Sequence, residues 1–395
     1  MPKRDHISRF FLSPELKFIS SKRYKNGHLW EVIKIRQPHE ICPKCATPSH
    51  TRYGRAKSLV REATIQDTPL WLLIHKHRYY CKACKKPFTE PVEGIFPRRR
   101  TTQRFRKSLM KACSNYTDLS RVKTEQRCSN GLIYNVFYEQ AEVKLRERKG
   151  AHWPKKIGLD EHFFSRRKGF TEFATVITNL KKGKLFEVVH GKDKKSLLAQ
   201  LRHIPGREKV KVVAIDMSSS YKSFVKEFFP NAKIVADKFH VLRLPTGSII
   251  KERKEIHGHR KNLRTRRLLL KNRKDLDYEA RCEIDQYLKK YPALNELYRA
   301  KEKLHEFYRS KGFHRAVKSF RRLIERLEES SLPQLQKLKR TLLKWKNEIL
   351  LYFELRVTNA LSEAINSQAK KLQQRACGYK SFKNYRLRLL SACAF

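Results

Sequence analysis

Acidic residues are scarce: 38 Asp and Glu stand against 90 Lys and Arg, a formal net charge of +52. Such an excess repels itself in a compact fold unless a polyanion neutralises it. Nucleic acid, whose phosphates release counterions on contact, is the expected partner, and an anionic membrane surface is the alternative. Long hydrophobic runs are missing. No stretch approaches the roughly 20 apolar residues of a membrane span. Met1–His6 is charged, with no apolar segment of signal-peptide type behind it. The expectation is a cytoplasmic, nucleoid-associated bacterial protein with no membrane partner. Glycine (14) and proline (15) are sparse in 395 residues, and no Pro/Gly/Ser-rich linker or fixed-period repeat occurs. This excludes low-complexity and collagen-like chains. Hydrophobic residues reach 40% and recur at strand and helix spacing, which excludes wholesale disorder.

Cysteines number nine, an odd count that argues against a full disulfide framework. Four form Cys42-Pro-Lys-Cys45 and Cys81-Lys-Ala-Cys84. Thiolates two residues apart reach one tetrahedral ion from a tight turn, and two such turns complete four ligands, so a structural Zn2+ is expected. The 35 intervening residues must fold back, with Leu59–Tyr80 as a hairpin. A redox pair is the alternative, but no thioredoxin-like context follows either motif. His50, His75 and His77 read as surface or strand residues.

The pattern is that of a multidomain α/β protein in five segments: 1–97 (zinc-ribbon-like), 98–150 (short helices), 151–245 (strands and helices alternating), 246–345 (helical and charged) and 346–395 (a closing helix). Basic connectors are expected near Pro97–Arg100 and Gly150–Lys156. Three helices are predicted in 98–150: Gln103–Asn115, one capped by Thr117-Asp118 and running to Arg127, and one from Ser129-Asn130-Gly131 to Arg148. Capped short helices with a Gly-containing turn suggest a helix-turn-helix. Asn130, Ile133 and Tyr134 then face the major groove, and Arg98, Arg99 and Arg100 add phosphate contacts. A generic helical linker is the plainer reading.

In 151–245 the predicted order is three strands, helix, strand, helix, strand. Lys156–Asp160, Lys211–Asp216 and Lys233–Asp237 each end in an acid. Apolar runs before Asp216 and Asp237 suggest central parallel strands covered on both faces. Acids at such carboxyl ends point into the crevice where open α/β sheets bind ligands. Clustered carboxylates in so basic a chain require a cation between them, and hard oxygen ligands select Mg2+ or Mn2+. Two such ions serve in-line phosphoryl displacement.

At these residues the chain resembles the ISL-three family of insertion-sequence transposases. The resemblance rests on the cysteine pairs, the helix-turn-helix, Ile157-Gly-Leu-Asp160-Glu161, Asp216-Met-Ser with Tyr221, and Ala236-Asp237-Lys-Phe-His240. It closes with Thr358-Asn359, Glu363, Asn366, Lys370-Lys371, Arg375-Ala376 and Gly378, and spans nearly the whole chain. It implies a DDE enzyme with an RNase H-like mixed sheet carrying a large all-α insertion. Asp160, Asp216 and Glu363 would hold two Mg2+ or Mn2+ ions, with Asp237 and His240 as an Asp-x-x-His signature. Asp237 is the other candidate for the second acid. The implied substrates are double-stranded transposon ends and target DNA, bound by a homodimer or larger assembly. A position departs from the family pattern: Ala364 stands where Gly is expected. A helical Glu is ordinarily a solvated side chain, and Glu363, 126 positions after Asp237, gains its role from the resemblance alone. The leucines at 268, 269, 276, 288, 294, 297, 323 and 327, with Ile324, predict a small separate core for the insertion. Trp345 is read as a core aromatic, with base stacking as the alternative. Two other functions compete: a DNA-binding regulator without catalysis, and an RNase H-like nuclease that cuts without joining.

Overall fold

The computed structural model describes residues 13–394 apart from 36, 116–117, 148–149, 168–169 and 259–262. Met1–His6, Thr117 and Arg148, named above, lie outside the described residues. The chain divides into two compact units, one up to Glu147 and one beyond it.

In the first unit, five strands form a sheet ordered Leu16–Tyr24, Gly27–Lys34, Thr68–Cys81 and Arg52–Ile65, with Lys86–Thr89 also pairing Thr68–Cys81. The expected hairpin is present: Arg52–Ile65 and Thr68–Cys81 pair antiparallel, and Ile65 faces Thr68 across a two-residue turn. Gln66 and Asp67 both take positive φ (47° and 57°), as a turn matching strand twist requires. Val32, Val60, Leu70, Leu72 and Ile74 fill the sheet's buried face.

Three helices follow at Gln103–Asn115, Leu119–Gln126 and Asn130–Glu147. The Asp118 side chain caps the second, accepting from the Ser120 N–H. Phe105, Leu109, Cys113, Val122, Val136 and Phe137 form their interior. The helices are bound to the sheet rather than hung from it by a connector. Thr102 Oγ1 donates to Glu62 (2.9 Å), Arg104 to Glu62 (3.0 Å), and Arg61 to the Gln126 carbonyl (3.2 Å). The Arg61 guanidinium also lies over the Trp71 and Phe105 rings.

The second unit is built on a mixed sheet. Its strand order is Lys184–His190, Phe170–Asn179, Lys156–Arg167, Val212–Ile215, Lys233–Ala236. The first three are antiparallel neighbours; Val212–Ile215 joins Lys156–Arg167 in parallel, and Lys233–Ala236 joins Val212–Ile215 in parallel. Val212-Val-Ala-Ile is buried at every position, as a central parallel strand demands. The predicted sequence of elements is present, with helices at Lys194–Leu201 and Ser219–Phe228. Asp193 and Ser218 cap these helices.

Helices from Lys238–His257 to Lys346–Leu355 make the following block. Its leucines do not form a separate core. Leu269, Leu276, Leu294, Leu304 and Leu342 belong to one continuous apolar cluster with Trp153, Ile157, Leu159 and Ile215 of the sheet. Trp345 is buried in the same cluster, 2% exposed, and cannot stack on a base. No helix among the described residues is long and apolar enough to cross a membrane.

Candidate active site and metal centre

The parallel strands deliver acids to one end of the sheet. Asp160 and Glu161 stand in the long strand Lys156–Arg167. Asp216 and Asp237 directly follow Val212–Ile215 and Lys233–Ala236. Glu363 arrives from the first turn of the helix Ala360–Arg375. The ligand atoms of Asp237, His240 and Glu363 all lie within 4.8 Å of one another.

Asp237 is wholly buried and its oxygens are committed. One accepts the Asn359 N–H (2.8 Å). The other accepts the backbone N–H of His240 (3.4 Å), as the cap of Lys238–His257, and contacts its Nδ1 (3.1 Å). This hydrogen bond is the main reason the His240 imidazole titrates above its ordinary 6.5, with the charges of Asp237, Asp160 and Asp216 adding to it and burial opposing.

Asp216 is different. Its Oδ1 is buried and has no hydrogen-bond partner among the described residues, and the same is true of Glu161 Oε2. Burial, then the charge of Glu161 and that of Asp160, push the Asp216 carboxyl up to about 7; His240 opposes them. Burial raises Asp160 to about 6, with Glu161 and Glu363 contributing and the Glu161 N–H and His240 opposing. Asp160 therefore senses Glu161, His240 and Glu363, and Asp216 senses Glu161, His240 and Asp160. Buried acids sharing one site need a cation to ionise together. Asp216, with an idle oxygen, fits a metal ligand better than Asp237, whose oxygens orient His240 and Asn359.

Two asparagines hold the arrangement. Asn359 donates its side-chain amide to the Leu159 carbonyl (2.8 Å), next to Asp160. Asn366 donates to Asp160 Oδ2 (2.8 Å), and its Oδ1 faces His162 Nδ1 (2.9 Å). His162 in turn meets the Tyr385 hydroxyl. Burial keeps His162 neutral, down to about 4. Its Nδ1–H then donates to Asn366 while Nε2 accepts from Tyr385, so Asp160 ends a chain of fixed dipoles. Gly158 permits the close approach. A Cβ there would lie 2.1 Å from Asn359 Oδ1 and 2.7 Å from Thr178 Oγ1. Ala364 is exposed. Sequence reasoning passed over Glu161 as a site residue. The signal for it was a second acid adjoining one already chosen.

The four cysteines converge in the first unit. Their Sγ atoms lie within 4.8 Å of one another, with Cys42–Cys84 at 3.7 Å and Cys45–Cys81 at 3.5 Å. A tetrahedron with metal–sulfur bonds of about 2.3 Å has edges of about 3.8 Å, so these separations are compatible with Zn2+. Burial and the neighbouring thiols push Cys84 up to about 12, a crowding a cation would relieve. The histidines stand aside: His75 pairs with Glu31 (2.7 Å) and His50 faces the Pro38 carbonyl.

Of the residues expected to read DNA, Asn130, Tyr134, Arg98, Arg99 and Arg100 are exposed, Tyr134 by 47%. Ile133 is not: it is 1% exposed in the helical core. Its position follows from the helix period. With Val136 and Phe137 three and four residues on, it belongs to the apolar stripe rather than to the free face.

A transposase family model of the DDE ISL3 type matches residues 157–389. The chain belongs to that family. The matched span contains every acid of the cluster together with Asn359 and Asn366. The chain is also 24% identical over 368 residues to the transposase for insertion sequence element IS1001 of Bordetella parapertussis, covering 89% of this chain and 88% of the relative. Membership of a DDE transposase family implies use of divalent metal, and the buried, unpartnered oxygens of Asp216 and Glu161 fit that requirement.

Proposed function

We propose that this transposase cuts DNA at transposon ends and joins the ends to target DNA, using Asp160, Asp216 and Glu363 to hold Mg2+ or Mn2+. The observation that carries the reading is the idle, buried oxygen of Asp216 beside Asp160 in a chain of net charge +52. Bound divalent ions would activate an attacking oxygen and stabilise a leaving one. Water first attacks the phosphodiester at the transposon end and frees a 3′-hydroxyl. That hydroxyl then attacks a target phosphodiester: its proton is lost, the new P–O bond forms, and the bond to the target strand's own 3′-oxygen breaks, so that oxygen leaves as a 3′-hydroxyl. Asp237 holds the His240 ring by Nδ1, which leaves Nε2 to donate to a phosphate oxygen; raised titration favours the cationic form for that task. Asn366 holds Asp160, and Asn359 holds the strand beside it.

The sheet order, with an antiparallel triplet followed by two parallel strands and acids at their ends, supports an RNase H-like reading of the core. In the first unit, a Zn2+ on the four cysteines would brace the turn ends of the sheet. The exposed Asn130 and Tyr134, with Arg98–Arg100, would contact the DNA ends as a helix-turn-helix. Two ends must be paired for joining, so a homodimer or larger assembly is the working form.

The test is Asp160→Asn with labelled end-containing DNA and magnesium. Retained binding with loss of strand cleavage is expected. Metal-dependent cleavage by that variant would remove Asp160 from the site. Wild-type protein that shifts the DNA without cutting it would mark a regulator, and cutting without joined products would mark a nuclease.

A further inference from the structure

The helix Phe313–Glu328 is the most amphipathic of the described helices. Ala316, Phe320, Leu323 and Leu327 recur at helical spacing and are buried. They face the helices Pro292–Phe307, Pro333–Lys344 and Lys346–Leu355, on which Phe313–Glu328 packs. Another side carries Arg315, Lys318, Arg322 and Arg326, all exposed. At about 1.5 Å and about 100° per residue, these four fall in one strip about 17 Å long.

Arg315, Lys318, Arg322 and Arg326 form no ion pair among the described residues. The nearby acids are engaged elsewhere or stand off. Glu328 takes Lys339 (3.1 Å), and Glu306 takes Lys303 (2.7 Å), with Arg326 felt there only as a weaker charge. Glu325 and Glu329 are exposed at the end of the helix and pair with none of the four. Other exposed cations of the helical block are matched: Lys251 with Glu255, Arg264 with Glu283 and Arg273 with Asp285. Arg315–Lys318, Lys318–Arg322 and Arg322–Arg326 are neighbours one helical turn apart, where like charges repel and weaken a helix. Such a strip calls for an anion. A membrane surface does not fit, because an interfacial helix needs its apolar side free for lipid, and here that side is sealed in the block. Duplex DNA does fit: it carries one charge per about 1.7 Å of axis, so on the order of ten phosphates lie along the strip. The strip also starts near the acid cluster. Arg356, three positions before Asn359, donates to the Ser310 carbonyl (3.3 Å) just ahead of the helix. Three residues span at most about 11 Å.

We infer that Arg315, Lys318, Arg322 and Arg326 form a second DNA contact, a sequence-independent track for the duplex that continues from the cleavage site. The inference takes the position of that site from the DNA-cleaving reading above. It adds a partner surface that the second unit supplies itself.

The test replaces all four by Gln in the full chain. Each lost phosphate contact removes about 0.9 from the slope of log affinity against log salt, so a flattening of about 3 is expected. Affinity for end-containing and for unrelated duplex should fall by the same factor, because phosphates carry no sequence. Without DNA, at low salt, the melting temperature should hold or rise as the repulsion is relieved. Arg315→Lys, Arg322→Lys and Arg326→Lys together, with Lys318 kept, should preserve the wild-type slope. A control set, Lys251→Gln, Arg264→Gln, Arg273→Gln and Lys303→Gln, lowers the net charge equally and should leave the slope nearly unchanged. Equal flattening by both sets would reduce the effect to the general field of the chain and overturn the track, as would an unchanged slope in the first set. Binding to phosphatidylserine vesicles that the first set abolishes, with its DNA slope intact, would assign the strip to a membrane and refute the assignment to DNA. Wild-type protein that binds duplex through the strip but never cuts would sink the enzymatic reading and keep the track. Cutting with a slope indifferent to the strip would do the reverse.

Discussion

Replacing Asp216 by Asn should make the metal-free protein more stable. The folded state lifts this carboxyl from its ordinary 3.8 to about 7. A group that keeps its proton more tightly when folded opposes folding once the pH takes that proton away. The penalty is absent below about pH 4, grows between pH 4 and 7, and is complete above. The lift corresponds to about 4 kcal/mol at pH 8 and to less than about 2 kcal/mol at pH 5. Asparagine carries no charge and still fills the space, so much of that penalty should disappear. For a unit of this size each kcal/mol moves the melting temperature by roughly 2–4 °C. A rise of roughly 5–15 °C is expected at pH 8 in EDTA, shrinking by more than half at pH 5. Magnesium should narrow the difference. It should stabilise wild type by about 2.7 kcal/mol at a hundred times its dissociation constant, and the variant far less. Scanning calorimetry at two pH values, with and without magnesium, reads all four conditions. A variant that melts lower than wild type in EDTA at pH 8 would refute the view of Asp216 as an uncompensated acid awaiting a cation.

Two further outcomes follow from the packing. Gly158→Ala should destabilise the second unit by about 1–3 kcal/mol, because its methyl group must displace Asn359 or Thr178. It should also abolish cleavage while leaving end binding by the first unit, measured by gel shift, near the wild-type value; full cleavage would show that Asn359 does not position the strand. Cys81→Ser should release the Zn2+ expected on the four thiolates, followed by a colorimetric chelator. It should also open the sheet of the first unit, visible as faster proteolysis near Cys42, whereas unchanged metal content would exclude the four-cysteine centre.

The elements of the second unit were legible because their signals are local. Val212–Ile215 is apolar at every position, and the acids Asp216 and Asp237 close the apolar runs that become its parallel strands. The cysteine pairs and the fold-back between them were legible for the same reason, since Cys-x-x-Cys spacing and strand alternation are short-range patterns. What a short pattern cannot express is which side of an element faces which neighbour. Ile133 illustrates this. Its place near a helix start suits a base contact, but Val136, Phe137 and Ala141 continue a stripe that turns it inward. The leucines of the helical block failed in the opposite sense. Their stripes were correct, yet no local feature says that the surface they seek is the sheet itself.

The roles of the acids show where chemistry, rather than pattern, decides. Asp216 and Asp237 look alike in one dimension: each ends an apolar strand and precedes a helix. The difference lies in what their oxygens meet. Asp237 receives an N–H from Asn359, more than a hundred positions away, and the ring of His240. Asp216 keeps one oxygen buried and idle. A carboxylate satisfied by fixed donors has little to offer an ion, whereas one deprived of both water and donors gains most from binding one. The distinction between the two acids was therefore absent from either strand. It was written into Thr358-Asn359, residues whose only sequence-level claim to attention was a family resemblance, and it became physical when Gly158 allowed Asn359 to press against the sheet.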